Sequence, residues 1–475
     1  MTTVHPGNFE PENHWYPKAL NATIHPMVSF FFSLSNERIA NRYCHLRPIV
    51  SSEALMEILS YKPRYFLWAG ADLFNVTTEH GKRQMVVIEN NSCPSGQKSM
   101  PVLNDHDDYG GYRPLMERSF KAAMKSRRLP KGGLAVIYDK NPMEATGYAA
   151  AMADVFNEPV QLIPYYKDEV GQQVRSTDGL LEYLDEDGNW QPLRAVFRYL
   201  TQKPWNRLPV NQKTFIYNPA VACLAGGRNK MIAAKAYDFY NGELAGSGMQ
   251  IMTPETIWDV GKSEVPLWVS KMGGQAVVKN PYSNAGQGVY TIVNEQELEA
   301  FMEQEYEYDL FIVQSLIGNY NWSSTTSKGK FYHVGTLPNR RSETFAADLR
   351  MMVCATAQGF QPLSIYSRRA RVPLTHELAS GTDSWAMLGT NLSIKREDGS
   401  WDSDTNRLML MDRKDFNRVG VSLDDMIEAY VQTVLSTVAV DKMARNLFNA
   451  KGRFRRKLFQ SLNNDPALLD EILIS

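Results

Sequence analysis

Short runs of consecutive apolar residues recur along this chain, and longer stretches between them carry apolar residues at helical spacing. Apolar runs of four to eight residues that end at Gly, Pro, Asn or Asp are typical of buried strands. They predict strands over 65–71, 84–91, 132–139, 160–164, 275–279, 288–293, 310–314 and 348–354. Helices are expected near 52–60, from Asn229 onward and over most of 422–475.

One stretch in the middle of the chain has the order strand, helix, strand. Asn141 stands where an N-cap belongs, Pro142 follows at the first helical position and Glu144 at the third. This is a favourable start for a helix. An alanine-rich segment then leads to the apolar run at 160–164. Because such units join parallel neighbours, the sequence predicts a Rossmann-like βαβ unit.

The elements together predict a mixed α/β (α+β) fold whose C-terminus is helical. A chain of 475 residues corresponds to about three domains at roughly 150 residues each. We expect an N-terminal region over 1–125 that holds a strand hairpin, and a βαβ domain over 126–222. A subdomain over 223–320 would carry a lysine and a glycine loop, and 321–475 would supply further core strands and the C-terminal helices.

Composition narrows the class of protein. Hydrophobic residues make up 43% and charged residues 22%, which is ordinary for a folded protein and excludes wholesale disorder. The 51 basic and 52 acidic residues nearly cancel, so neither nucleic acid nor a membrane is expected as a partner. The 4 cysteines are far apart, which excludes a disulfide framework or a thiolate zinc site. No apolar stretch is long enough for a membrane span or typical of a signal peptide, so a cytoplasmic location is expected.

A lysine ends one predicted strand, and two glycines precede the next. Lys279 closes its apolar run, and Gly286 and Gly288 lie in the loop that follows. Glycines let successive N–H groups approach an anion, and a lysine supplies a point charge for a phosphate. A tight hairpin with a solvent-reaching lysine explains the same residues, so this segment alone does not decide. The chain has no Walker phosphate loop.

A second predicted hairpin carries acidic and amide side chains. Glu89 and Asn91 are two apart on a strand and therefore share a face. A turn centred on His80 and Gly81 would place Asp72 opposite Glu89. Two carboxylates and an amide oxygen on one face suit Mg²⁺ or Mn²⁺. The alternative is a hairpin with solvated polar residues.

A C-terminal pair competes for the same metal role. Asp415 and Asn417 have the same spacing as Glu89 and Asn91. Lys414 and Arg418 crowd that pair with positive charge, and no acidic residue stands clearly on the preceding predicted strand. We therefore favour the N-terminal set.

The order of these segments resembles the ATP-grasp superfamily. The resemblance covers roughly 225–395 and rests on the lysine strand, the glycine loop, the strand at 310–314 with its hinge, and the arginines that follow. In that superfamily the lysine strand and glycine loop cover the ATP phosphates, the hinge holds adenine through backbone groups, and later arginines reach phosphate and acyl groups. Because Asp72, Glu89 and Asn91 precede the nucleotide strands, the order resembles the circularly permuted branch that includes glutathionylspermidine-synthetase-like ligases.

The resemblance implies an ATP-grasp fold around the mid-chain βαβ unit, and it implies roles for particular residues. Those implied for ATP are Lys230, Lys279, Ser283, Asn284, Ala285, Gly286, Gln287, Gly288, Gln314, Ser315, Leu316 and Ile317. Those implied for the metal are Asp72, Glu89 and Asn91, and those implied for catalysis are Arg350, Arg371 and Asn391.

The activity implied is that of an ATP-dependent carboxylate–amine ligase. Such a ligase forms an amide or peptide bond through an acyl phosphate and releases ADP and phosphate. Its cofactors would be ATP and Mg²⁺, with Mn²⁺ as a substitute. Its partners would be a small carboxylate and an amine, of the amino-acid or short-peptide class, and a homodimer is compatible with this. The alternatives are a small-molecule kinase and a non-catalytic nucleotide-binding protein.

Overall fold

The computed structural model describes residues 1–104, 106–169, 171–283, 286–378, 381, 383–395 and 401–473. The strands within these residues are β1 (Thr2–Val4), β2 (Trp68–Thr78), β3 (Arg83–Ser92), β4 (Gly133–Tyr138), β5 (Val160–Pro164), β6 (Val174–Thr177), β7 (Leu180–Leu184), β8 (Trp190–Tyr199), β9 (Phe215–Tyr217), β10 (Thr256–Gly261), β11 (Ala276–Lys279), β12 (Val289–Ile292), β13 (Leu310–Ser315), β14 (Phe331–His333), β15 (Ala347–Thr356), β16 (Gly359–Arg369), β17 (Ser393–Lys395), β18 (Trp401–Ser403) and β19 (Leu408–Met409).

The α-helices lie before β2, between later strands and after β19. They are α1 (Pro17–Leu20), α2 (Pro26–Phe32), α3 (Asn36–Leu46), α4 (Ser52–Leu59), α5 (Tyr112–Pro114), α6 (Lys121–Lys125), α7 (Pro142–Phe156), α8 (Ala220–Ala222), α9 (Lys230–Glu243), α10 (Val265–Lys271), α11 (Glu295–Glu303), α12 (Ser384–Leu388), α13 (Phe416–Val419), α14 (Leu423–Asn446), α15 (Arg456–Leu462) and α16 (Pro466–Ile472). None of the helices in the described ranges combines the length and apolarity needed to cross a bilayer.

Three larger sheets organise the chain. The first has the order β1-β5-β4-β8-β7-β6, with β9 beside β8. The second is antiparallel in the order β10-β13-β11-β12. The third has the order β14-β2-β15-β16-β19, with β3 also paired to β2. The mixed α/β architecture predicted from the sequence is therefore confirmed.

The mid-chain βαβ unit is also confirmed. Strands β4 and β5 are parallel neighbours, and α7 connects them. The predicted cap is wrong: Asn141 adopts left-handed backbone angles (φ 44°) and makes no capping hydrogen bond. Its side chain donates instead to the hydroxyl of Tyr199 at 3.3 Å. A distant tyrosine thus overrides the local capping preference.

The hairpin of β2 and β3 has the cross-strand pair that the sequence predicts. Asp72 lies opposite Glu89, although a bulge between Asp72 and Leu73 shifts the register nearer the turn. A bulge of this kind bends the strand and re-aims the side chains next to it. It brings the two carboxylates onto the same part of the third sheet.

The long helix α14 packs against the third sheet, and one of its polar side chains anchors the chain that leads into β2. The fully buried carboxylate of Asp441 accepts hydrogen bonds from the backbone N–H groups of Arg64, Tyr65 and Phe66 at 2.7–3.0 Å. The hydroxyl of Tyr61 donates to it at 2.9 Å. The start of β2 is therefore fixed by one side chain from the other end of the chain.

Asp441→Ala is expected to lower the free energy of unfolding by about 3–5 kcal/mol, because several buried donors lose their acceptor at once. Asp441→Asn keeps an acceptor oxygen and is expected to lose less. Chemical denaturation of the two variants checks this. A loss below about 1 kcal/mol for the alanine variant would contradict the anchoring role.

Candidate functional site

A cleft of about 680 Å³ is lined by residues of the second and third sheets and of the loops beside them. This volume is within the range of small-molecule sites. Most of the residues singled out from the sequence line it: Asp72, Glu89, Asn91, Lys230, Lys279, Ser283, Gly286, Gln287, Gln314, Ser315, Leu316, Ile317, Arg350 and Asn391. Asn284 and Ala285 lie outside the described residues.

Two lysines supply positive charge to the cleft. Lys279, at the end of β11, is only 6% exposed, and no described residue gives its ammonium a hydrogen bond or an ion pair. Burial lowers its pKa to about 8. Lys230, at the start of α9, donates to the backbone oxygen and hydroxyl of Ser283 at 3.1 Å. Burial lowers its pKa as well. The Lys230 ammonium also lies 3.8 Å from the Glu89 carboxylate, so one carboxylate is shared between two buried ammonium groups and Lys279 has no direct partner among the described residues.

The glycine loop turns back tightly beside these lysines. Gly286 has φ 78° and Gly288 has φ 63°, a left-handed region that favours glycine. A Cβ atom on Gly286 would lie 2.8 Å from the indole of Trp385. The N–H of Asn280 donates to the carbonyl of Gly288 at 2.8 Å and closes the loop. The two glycines are therefore required by backbone shape and close packing.

The predicted hinge after β13 follows the strand directly. The side-chain amide of Gln314 donates to the hydroxyl of Thr256 at 2.9 Å. Ser324 bonds both backbone groups of Leu316, at 2.7 and 3.0 Å. The N–H and the carbonyl of Leu316 are therefore already hydrogen-bonded within the protein. Ile317 contributes an apolar side chain to the cleft.

Asp72 occupies the centre of a charged cross-strand row. On one side it pairs with Glu89, and on the other with Arg350 of β15. The Nε and Nη2 atoms of Arg350 donate to its two oxygens at 2.5 and 2.6 Å. Arg368 approaches within 2.9 Å. Burial alone would raise the pKa of Asp72, but the two arginines hold it below its ordinary value.

The charged row continues to a second aspartate. Arg368 also pairs with Asp348, its cross-strand neighbour, and the hydroxyl of Thr390 donates to the same carboxylate at 2.8 Å. Burial raises the pKa of Asp348. Two aspartates and two arginines thus form one buried network at the floor of the cleft.

Glu89 and Asn91 are the side chains best placed for a divalent cation. The side-chain nitrogen of Asn91 donates to Glu89 at 3.2 Å. No described residue donates a hydrogen bond to the side-chain oxygen of Asn91. Oxygen donors of this type suit Mg²⁺. Asp72 is turned to the arginines, and no cluster of three His, Cys, Asp or Glu fit for a metal occurs in the described part of the chain. The oxygen atoms of Glu89 and Asn91 fit a cation whose remaining ligands are phosphate oxygens and water.

One sequence interpretation is corrected here, and the metal pair that the sequence did not favour is located. Arg371 does not line the cleft; its side chain is exposed, and Arg368 occupies the site instead. The competing pair also lies elsewhere: Asp415 is buried in ion pairs with Lys18 and Arg418 at 3.2 and 3.5 Å, and Asn417 is exposed. Arg368 was missed because its significance depends on the pairing of β15 with β16.

Sequence reasoning also missed the end of the cleft beside the first sheet. Lys140 and Arg228 line it together with Ser95. Lys140 donates to the backbone oxygen of Cys93 at 2.7 Å, and burial lowers its pKa to about 7. Positive charge at this end suits an anionic substrate. Only the parallel pairing of β4 with β8, and the seating of the loop after β3 against them, brings these residues together.

His333 is buried against the ring of Phe74, 4.4 Å between ring centroids, and no described residue bonds either of its ring nitrogens. Burial lowers its pKa from 6.5 to about 4. As the pH falls, His333 therefore takes up its proton in the unfolded chain before it does so in the folded chain, and this destabilises the folded state. We expect wild type to lose about 3 kcal/mol more unfolding free energy than His333→Phe between pH 6.5 and 4. Chemical denaturation at the two pH values measures this difference, and an equal loss of unfolding free energy in the two proteins would contradict the prediction.

Comparisons with known proteins give weak likenesses. No family model and no curated protein matches the chain. An ATP-grasp RimK-domain protein from Sphaerobacter thermophilus is 12% identical over 49% of this chain and 90% of its own, with a TM-score of 0.29. A glutathione synthetase-like effector from Globodera pallida is 10% identical over 72% and 82%, with a TM-score of 0.39. D-alanyl-alanine synthetase A from Vibrio cholerae is 12% identical over 50% and 89%, with a TM-score of 0.30. By name the first is an ATP-grasp protein, the second a glutathione synthetase-like effector and the third a synthetase. At such scores a proposal for function rests on the site's own geometry.

Proposed function

We propose that this chain is an ATP-dependent carboxylate–amine ligase of the ATP-grasp type. The observation that carries the proposal is the buried ammonium of Lys279, which has no acceptor among the described residues and points into the cleft beside Lys230. A buried unpaired charge is costly unless a counter-ion binds. A triphosphate supplies that counter-ion, and the adjoining glycine loop offers backbone N–H groups to it.

The chain's residues divide the work along the cleft. Lys230 and Lys279 would neutralise phosphate charge on one side, and the glycine-loop residues Ser283, Gly286 and Gly288 would help to exclude water from the reacting groups. Arg350 lines the cleft with its fork engaged by Asp72, so its remaining Nη1 edge and its positive charge would act on a carboxylate or a transferring phosphoryl group. Mg²⁺ held by Glu89 and Asn91 would supply charge that stabilises the phosphoryl transfer.

The substrate end favours a carboxylate. Lys140 and Arg228 lie there, and their positive charges would attract and orient an acid. A carboxylate held beside Arg350 is positioned to attack the γ-phosphate, which gives an acyl phosphate and ADP. An amine then displaces phosphate and forms the amide. No nucleophilic side chain is needed, because positioning and charge stabilisation suffice.

The ligase is tested by incubating the protein with Mg-ATP and pairs drawn from amino acids, short peptides and small amines, with ADP, phosphate and product mass as readouts. ADP and phosphate are expected only when both an acid and an amine are present, together with an amide product. A stable phosphorylated product that requires no amine would indicate a kinase. ATP binding without turnover in any pair would indicate a non-catalytic nucleotide-binding protein.

Glu89→Gln tests the metal assignment. Because the amide is a weaker ligand for Mg²⁺ than a carboxylate, we expect the variant to lose most of the added affinity from Mg²⁺. It should bind ATP alone at least as tightly as wild type does, because Glu89 also pairs with Lys230. Calorimetric titration with ATP, with and without Mg²⁺, measures both. Glu297→Gln, outside the cleft, serves as the control substitution. Unchanged Mg²⁺ dependence in Glu89→Gln would refute the assignment.

A further inference from the structure

A second cavity of about 660 Å³ lies apart from the cleft. It shares no lining residue with the cleft in the described part of the chain. On β16, Leu363 lines the second cavity and Arg368 lines the cleft, about 17 Å apart along a strand of this type. A small molecule in one cavity therefore does not occupy the other.

One buried polar side chain points to a ligand in this second cavity. Gln97 is 2% exposed and lines the cavity, and its side-chain nitrogen has no hydrogen-bond partner. Its side-chain oxygen packs closely against Gly111, where a Cβ atom would lie 2.0 Å from it. Buried donors are nearly always satisfied by protein, water or ligand. Gln97 thus offers a preformed donor for an acceptor oxygen.

The rim of the cavity carries one charge of each sign. Arg118 and Glu37 both line it, and within the described residues neither has an ion-pair partner. Their charged atoms are therefore more than 4.0 Å apart, and neither neutralises the other. Apolar side chains of Leu34, Met56 and Leu363 form the walls.

We propose that this cavity binds a small zwitterion of the amino-acid or short-peptide class. The carboxylate of the ligand lies at Arg118 and the donor of Gln97, its ammonium lies at Glu37, and its apolar side chain packs on the walls. Charge-assisted hydrogen bonds to a carboxylate and to an ammonium give the site its preference for a molecule that carries both. The cavity is separate from the ligase site and does not depend on it.

Calorimetric titration of the full chain with L-leucine, L-methionine and L-leucyl-glycine tests this, in the absence of ATP so that no ligase turnover contributes heat. We expect at least one probe to bind with a single site. The leucine analogues without an amine (4-methylpentanoate) or without a carboxylate (3-methylbutylamine) should bind at least about tenfold more weakly.

Variants at the rim show whether binding occurs in this cavity. Arg118→Gln and Glu37→Gln are each expected to weaken the probe at least about tenfold, and Gln97→Met to weaken it as well. Arg128→Gln and Glu53→Gln remove exposed charges outside the cavity and serve as matched controls. No binding of any probe at millimolar concentration, or binding unchanged in Arg118→Gln, would overturn the proposal. Mg-ATP titration of the same variants should match wild type, which keeps this test independent of the ligase.

Discussion

Lys279→Met is expected to weaken ATP binding by about 100-fold while making the ligand-free protein more stable. The affinity falls because a buried ammonium that contacts phosphate contributes about 2–3 kcal/mol. The stability rises because burial lowers the pKa of Lys279 to about 8, so the folded state carries the cost of a desolvated charge at neutral pH. Methionine has a similar length and no charge, so it removes that cost without leaving a large cavity.

The two effects have opposite signs, and this separates a ligand-binding lysine from a structural one. Thermal unfolding without ligand is expected to occur at a higher temperature in Lys279→Met than in wild type, and stabilisation by Mg-ATP is expected to be nearly lost. The gain in stability should shrink as the pH rises through about 8, because wild type then sheds the buried proton as well. Lys271→Met, an exposed lysine in the same region of the chain, should change neither property. Full stabilisation of Lys279→Met by Mg-ATP would contradict the assignment.

The place of Lys279 at the end of a strand beside the cleft could be predicted from local sequence, because the residue ends an apolar run and precedes a glycine loop. The same local reasoning placed β5 correctly and found the pairing of Asp72 with Glu89, since a hairpin brings together residues that are close in the chain. The predicted turn is nevertheless one residue out of register, since Thr77 faces Arg83, and only the bulge between Asp72 and Leu73 restores the predicted pair.

The pairing of Asp72 with Arg350 on the other neighbouring strand could not be predicted in this way. Arg350 lies 278 residues further along, and nothing local to either residue shows that β2 pairs with β15 as well as with β3. Asp72 therefore looked like a metal ligand with a carboxylate on one side, whereas it is an aspartate between a carboxylate and an arginine. The same reason explains the choice of Arg371 over Arg368, because only the register with Asp348 distinguishes them.

The buried pair of Asp72 and Arg350 is expected to give a large coupling energy in a double-mutant cycle. Asp72→Asn removes the charge that Arg350 pairs with and leaves it one acceptor oxygen there in place of two, and Arg350→Met leaves Asp72 with Arg368 alone among the described residues. Removing one member of a buried pair typically costs about 3–5 kcal/mol, because the other charge stays buried. The double variant removes both charges, so it should lose about 2–3 kcal/mol less than the sum of the single losses.

The chain contains a matched pair that isolates the effect of burial. Arg42 and Asp424 make the same two-pronged contact, at 2.7 and 2.8 Å, but their side chains are 46% and 35% exposed. Solvent screens such a pair, so the cycle of Arg42→Met and Asp424→Asn should give a coupling energy of at most about 1 kcal/mol. If both cycles gave similar values, burial would not be the source of the stabilisation. In that case the network at the floor of the cleft would not hold Asp72 away from a cation, and Asp72 would be free to join Glu89 and Asn91 as a ligand.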